Sequence, residues 1–211
     1  MKRTQEARSA VLPRPAVLPR PAVLPHPAWL PWPAGQIRIR QAGSADHAAL
    51  REFLTGLSAQ TRYLRFFTGA TPASPAMLAI LAGERPGVDA LVAARHGVIV
   101  GHAMAVDATG PGGATTAEIG VVVADAWQRR GVGSGLVRAL ATRAQARHAT
   151  TLVMDVLAEN RPVLAMIASR WPAARHDRSG PYLTVHATLA PGQPITPRRE
   201  AQPNGGRYLA V

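Results

Sequence analysis

Polar and apolar residues alternate along Gln36 to Ala42, QIRIRQA, and predict a strand. The following SADHAALREFLTGL repeats its apolar positions at helical spacing behind Ser44, a suitable N-cap, and predicts a helix. SAQTRYLRFF predicts a second helix and SPAMLAILAG a short third. DALVAARHGVIVGHAMAVDA reads as two strands turned at His96 and Gly97, and TAEIGVVVAD as a strongly apolar strand. A helix is expected from about Val132 to His148, with Leu136, Leu140 and Ala144 on one face. TTLVMDVL predicts another strand, RPVLAMIASRW a helix and PYLTVHATL a last strand. A hairpin early and strand–helix–strand units late imply an α/β (α+β) fold, with helices packed around a mixed central sheet. The crossover from the Glu118 strand through the Val132 helix to the Thr151 strand should be parallel and right-handed.

The two ends read differently. AVLPRP, AVLPRP, AVLPHP and AWLPWP repeat with a period of six from Ala10 to Pro33. Two prolines in each unit exclude helix and remove sheet donors, so this segment should be extended polyproline II or disordered. It could be a spacer, a ligand for a proline-recognising module, or an extension without function; we read it as a tail. Residues 191–211, rich in Pro, Gly and Arg, read as a second tail. The expected organisation is a tail over 1–34, one domain over 35–190 and a tail over 191–211.

Composition narrows the function classes. Without cysteine there are no disulfides, thiolate zinc sites or cysteine nucleophile. The seven histidines show no metal-ligand spacing, so no metal is expected. The formal net charge of +12 comes from 23 Arg and a single Lys against 12 acids. Residues 35–190 carry 16 Arg against 10 acids, a net of +6, which suits a small polyanionic ligand. The stripe of basic and aromatic residues expected of a nucleic-acid surface is absent. No apolar run approaches the ~18 residues that span a bilayer, and prolines interrupt the hydrophobic region a signal peptide needs. A soluble, cytoplasmic protein is expected, a monomer or homodimer, with no nucleic-acid or membrane partner.

The candidate chemistry sits at WQRRGVGSGLV, Trp127 to Val137, where three glycines fall within five residues between an apolar strand and a helix. A helix N-terminus reached through a glycine turn is suited to anions, because its first N–H groups have no partner and the dipole favours negative charge. Gly131, Gly133 and Gly135 would let phosphate oxygens approach the main chain, with Arg129 and Arg130 adding charge. A P-loop requires a Lys, and none stands in this part of the chain. A dinucleotide fingerprint requires a third glycine three residues after Gly133, and it is absent. A tight strand–helix junction with no ligand would also use such glycines. No Gly-x-Ser-x-Gly supports a hydrolase elbow.

QRRGVG, Gln128 to Gly133, resembles the Q/R-x-x-G-x-G/A pyrophosphate loop of the GNAT N-acetyltransferases. VVVADAWQRRGVGSGLVRALATRAQ is similar to their acyl-CoA-binding strand, loop and helix, and VLAENRPVLAMI to the Asn-led helix that follows. LSAQTRYLRFF and TAEIGVVV resemble the branch that includes bacterial protein lysine acetyltransferases. The resemblance extends over residues 36–190. It implies a sheet of six or seven strands flanked by four or five helices, with acetyl-CoA as co-substrate. It also implies that the main chain of Val121, Val122 and Val123 pairs with the pantetheine arm. The main-chain N–H groups of Gln128, Arg129, Arg130, Gly131, Val132 and Gly133, reaching Ser134, would hold the pyrophosphate. Asn160 would contact the cofactor near its thioester.

Acetyl transfer to an amine requires the neutral nucleophile. A lysine of pKa ~10.4 is neutral in roughly 1 part in 2,500 at pH 7, a deficit of about 4.6 kcal/mol. A positioned base relieves part of this and contributes about 10²–10⁴ in rate. Glu118, in the apolar strand AEIGVVV, is the candidate, and burial there should raise its pKa. Its alternative is a solvated strand-edge carboxylate or a structural ion pair. The tyrosine acid of the family has no counterpart: the matching position is Ile167, and Trp171-Pro172 replaces the Gly-Phe that commonly ends this helix. Tyr182 is a conceivable substitute. His102 and Asp155 read first as structural groups, and Arg65 as a possible substrate contact on a helix whose aromatics pack the core. The resemblance points to direct transfer onto a protein lysine. A small-molecule amine acceptor and a non-catalytic acyl-CoA-binding module remain open.

Overall fold

The computed structural model describes residues 37–68, 73–109 and 115–189, and the expectations for the two tails lie outside them. Strand β1 spans Arg38–Gln41, followed by helices α1 (His47–Gly56), α2 (Ala59–Phe66) and α3 (Pro75–Leu81). Strands β2 (Val88–Arg95) and β3 (Val98–Thr109) form the expected hairpin, and β4 (Thr115–Val123) follows. Then come α4 (Val132–Ala146), β5 (Thr151–Leu157), α5 (Arg161–Arg170), β6 (Arg175–Ser179) and β7 (Tyr182–Thr188). The hairpin turns through His96 (φ 48) and Gly97 (φ 84), both left-handed, as a two-residue turn between twisted strands requires.

Two local expectations change. Strand β6, RHDRS, had no signal in the apolar pattern because all five of its residues are exposed; it pairs at the sheet edge with β7. Ser44 does not cap α1. A 3-10 turn over Ser44–Asp46 precedes that helix, and the Asp46 carboxylate accepts the Gly43 N–H at 3.0 Å and both terminal nitrogens of Arg40. Ser44 lies inside that turn, too far ahead of His47 to act as the N-cap of α1. Those hydrogen bonds from Arg40, with the Gly43 N–H, hold the Asp46 pKa below its ordinary value.

The seven strands are ordered β1-β2-β3-β4-β5-β7-β6. Neighbours are antiparallel except β4 and β5, which are parallel across the α4 crossover. Each face of the sheet is covered. On one side α4 and α5 bury Val132, Leu136, Val137, Leu140 and Ile167 against Ala103, Ala117, Ile119, Leu152, Met154 and Val185. On the other, Leu50, Phe53 and Leu54 of α1 and Leu78 and Leu81 of α3 pack on Val92, Ile99 and Val122. Leu136 and Leu140 are wholly buried, and truncating either to Ala should cost about 2–5 kcal/mol.

Strand alternation assigns the side chains of β4 to these two faces. Ala117, Ile119, Val121 and Val123 face α4 and α5, whereas Glu118, Gly120 and Val122 face the α1–α3 side. By the same logic Val153 and Asp155 of β5, and Tyr182, Thr184 and His186 of β7, share the Glu118 face. Among the described residues no helix is long and apolar enough to cross a membrane.

Candidate active site at the parting of two strands

The parallel pairing of β4 and β5 is short. It joins Thr116, Ala117 and Glu118 to Thr151, Leu152 and Val153 and then stops. Beyond it β4 stays paired to β3 as far as Val123, and β5 to β7 as far as Leu157. The two strands therefore part in the middle of the sheet, and the β5-facing main chain of Val121 to Val123 has no strand partner. An extended ligand with amide groups could pair there as an added strand.

At the end of β4 the chain turns into α4. Arg129 (φ 55) and Gly131 (φ 80) both take left-handed backbone, and Gly131 stands just before the first helical residue. Among the described residues, none of the N–H groups from Arg129 to Ser134 donates to another protein group. Six successive donors are thus presented at the positive end of a fifteen-residue helix. The glycines serve separate ends. Gly131 supplies the left-handed turn. Gly133 leaves open space, since a Cβ there would meet only the Val123 Cγ2, at 3.6 Å. Gly135 lets α4 close on β1, where a Cβ would stand 3.2 Å from the Ile39 Cδ1.

Gln128 braces this loop. Its N–H turns inward to the Asp125 carbonyl at 3.4 Å, so the free run of donors begins one residue later. Its side-chain amide donates to the Thr61 hydroxyl (3.0 Å) and the Val123 carbonyl (3.1 Å). Asp125 ties the same region to α2, accepting from the Ser58 N–H (3.0 Å), the Ser58 hydroxyl (2.6 Å) and the Thr61 hydroxyl (2.8 Å). Burial pushes the Asp125 pKa up, and these hydrogen bonds more than offset it, leaving it below its ordinary value. The Arg130 and Arg95 guanidiniums lie against the Trp127 ring at 4.9 and 5.2 Å, which fixes two cations beside the loop.

The strand, glycine loop and helix that the sequence resemblance anticipates stand here in that order, and β4 parts from β5 ahead of them. Residues 57–170 match the model of the acetyltransferase (GNAT) family. The chain belongs to that family. No curated protein gives a significant match. Among solved structures, the GNAT domain of S. lividans PAT is 22% identical with a TM-score of 0.65, over 72% of this chain and 90% of that one. The yncA acetyltransferase of Salmonella typhimurium, solved with acetyl-CoA, is 21% identical with a TM-score of 0.58, over 77% and 98%. A ribosomal-protein-alanine N-acetyltransferase of Brucella melitensis is 22% identical with a TM-score of 0.58, over 72% and 99%. At these identities the likeness establishes the shared fold.

In this acetyltransferase Glu118 lies on β4 immediately before the strands part, with its side chain exposed. The burial expected there is absent: the side chain lies on the α1–α3 side of the sheet and stays exposed. Its candidacy as a base therefore rests on position alone. Asp155, on the same face, accepts the Thr184 hydroxyl at 2.6 Å and is also exposed. His102 takes the structural reading: it is buried, and its Nε2 donates to the Leu81 carbonyl at 2.8 Å. Burial pulls its pKa down to about 4, so the ring is neutral and unavailable to the chemistry at pH 7.

Asn160 stands at the N-terminus of α5, and its side-chain amide makes no hydrogen bond to the described residues. Ile167 is wholly buried in the core and Trp171 packs against it, so neither supplies an acid. Tyr182 lies on the Glu118 face of β7, edge-to-face with Phe67 at 5.1 Å between ring centres. Helix α2 packs over both β4 and β5, above the point where they part. It brings Arg65 onto that face. The sequence marked this arginine as a possible substrate contact, and its local pattern gave no sign of its contact with Gly120.

Proposed function

We propose that this acetyltransferase binds acetyl-CoA across the parted strands and transfers the acetyl group directly to an amine, with Glu118 as the base. The observation that carries the reading is the run of unpartnered N–H groups from Arg129 to Ser134 beside the unpaired main chain of β4. Acetyl-CoA has a diphosphate, an amide-bearing arm and a thioester in that order. The helix N-terminus with Arg129 and Arg130 suits the first, Val121 to Val123 the second, and the free amide of Asn160 the region of the third. The thioester supplies the activated acetyl group, and the protein contributes orientation and a proton acceptor. Glu118 is exposed beside the point where the strands part, where it can take the proton of an arriving ammonium. No tyrosine acid stands at Ile167; a thiolate is a tolerable leaving group, and solvent can protonate it.

For the acceptor, a protein lysine is the first reading, supported by the resemblance of LSAQTRYLRFF and TAEIGVVV to the branch with bacterial protein lysine acetyltransferases. The Arg65 guanidinium at Gly120 favours a second, a small amine that brings its own negative charge. A cytoplasmic location belongs to the same account, with the cysteine-free sequence as its support. The test is release of CoA with a panel of amines, for the wild type and Glu118→Gln. Turnover that falls at least tenfold in the variant, with acetyl-CoA affinity retained, supports the reading. Acetyl-CoA binding with no turnover of any amine would instead support a silent acyl-CoA-binding module.

A further inference from the structure

Arg65, a possible substrate contact on sequence grounds, has a specific placement. Its guanidinium lies flat on the β4 main chain at Gly120. A Cβ built on Gly120 would fall 2.1 Å from one terminal nitrogen, 2.3 Å from Cζ and 2.9 Å from Nε. Only glycine at 120 leaves room for it. The Nε is shut off from solvent with no acceptor, and the side chain makes no hydrogen bond or ion pair to the described residues. The guanidinium also lies 5.0 Å from the centre of the Phe66 ring. Burial lowers its pKa to about 10, and the field of Glu118 partly restores it.

An arginine presents five donors in a fixed planar fork suited to a carboxylate, and a buried charge without an acceptor is costly to keep. Leaving such a group unsatisfied calls for a ligand that satisfies it. The same face carries Glu118, two residues before Gly120, and Asp155, both exposed and neither paired to Arg65. A cation site and an anion site thus lie side by side where the strands part. A lysine side chain on a protein would meet the carboxylates and leave the guanidinium bare. A molecule with its amine and carboxylate close together would satisfy both.

We propose that the acceptor is a small zwitterion, a free amino acid or close analogue, whose carboxylate is taken by Arg65 while its amine faces Glu118. Arg65 is then the residue that sets acceptor specificity. The proposal rests on the acetyltransferase reading above, and two separate measurements keep the two distinguishable: acetyl-CoA binding tests that reading, and acceptor choice tests this one.

The experiment measures CoA release with the twenty free amino acids, their carboxamides, and a lysine blocked at both its α-amine and carboxylate. The wild type should turn over at least one free amino acid with kcat/KM at least tenfold above that of its carboxamide. Arg65→Met should abolish that preference, chiefly through KM, with acetyl-CoA affinity unchanged. Gly120→Ala, which evicts the guanidinium but keeps the arginine, should do the same. The preferred amino acid should also raise the melting temperature of the wild type and not of Arg65→Met. Arg65→Met itself should melt no lower than the wild type, because it removes an unsatisfied charge. Three results would overturn the proposal: no free amino acid turned over, the blocked lysine preferred, or the preference intact in Arg65→Met.

Discussion

Replacing Gly133 by Pro isolates one donor of the glycine loop. Gly133 is the second residue of α4, and its N–H has no protein partner, so proline removes a group that the fold does not use. A proline at the second helical position already occurs in this chain, as Pro162 in α5. Space is available, since Val123 Cγ2 at 3.6 Å is the one neighbour a Cβ at 133 would meet. A hydrogen bond to a charged group contributes about 1.5–3 kcal/mol, so losing one to a phosphate should weaken acetyl-CoA binding roughly 10- to 150-fold. Gly133→Ala is the control, because it keeps the N–H and adds only a methyl group. Calorimetric titration of acetyl-CoA into both variants, with thermal melts beside it, separates loss of the donor from loss of the fold. Gly133→Pro should bind weakly while melting close to the wild type, and Gly133→Ala should bind within a few-fold of it. A folded Gly133→Pro variant that binds acetyl-CoA as the wild type does would refute the assignment of these N–H groups.

Three further outcomes are expected. Glu118→Gln should lower kcat by about 10²–10⁴, with the acetyl-CoA dissociation constant unchanged, as read by CoA release and calorimetry; undiminished turnover would remove Glu118 from the chemistry. His102 links stability to pH: its folded pKa of about 4 lies below the ordinary 6.5, so the unfolded chain takes up a proton first as pH falls. Stability is full above pH 6.5 and declines by about 3 kcal/mol towards pH 4. Urea titrations should show that part of the loss missing in His102→Gln, and parallel curves for the two proteins would contradict it. Asp125→Ala removes the acceptor for Ser58 and Thr61, and should cost about 1–3 kcal/mol of stability and weaken acetyl-CoA binding by loosening the loop from α2; binding equal to the wild type would show that the tie is only structural.

Strong periodicity explains why most of the fold could be read before the structure. The α4 helix announces itself through Leu136, Leu140 and Ala144, and β4 through an apolar run that one buried face on each side requires. Strand β6 could not be read, because RHDRS has no buried face and is held only by main-chain pairing to β7. The glycine loop was legible as a candidate anion site, but the division of labour among its glycines was not. That division depends on Ile39 and Val123, which are distant in sequence or belong to another element. Glu118 was legible as a candidate, while its exposure was not, since an apolar strand pattern does not say which positions a covering helix leaves open. Arg65 marks the limit most plainly. Its burial on Gly120 joins residues 55 positions apart, and no local pattern in either segment records the contact.

The central claim is that Arg129 to Ser134 and the parted strands hold acetyl-CoA. Calorimetric titration of the wild-type protein with acetyl-CoA, with NADH and ATP run separately, tests it most directly. The account predicts saturable one-site binding of acetyl-CoA and none of comparable strength for the other two. An absence of acetyl-CoA binding up to millimolar concentration would contradict it, and would mean that the glycine loop is a strand–helix junction and nothing more.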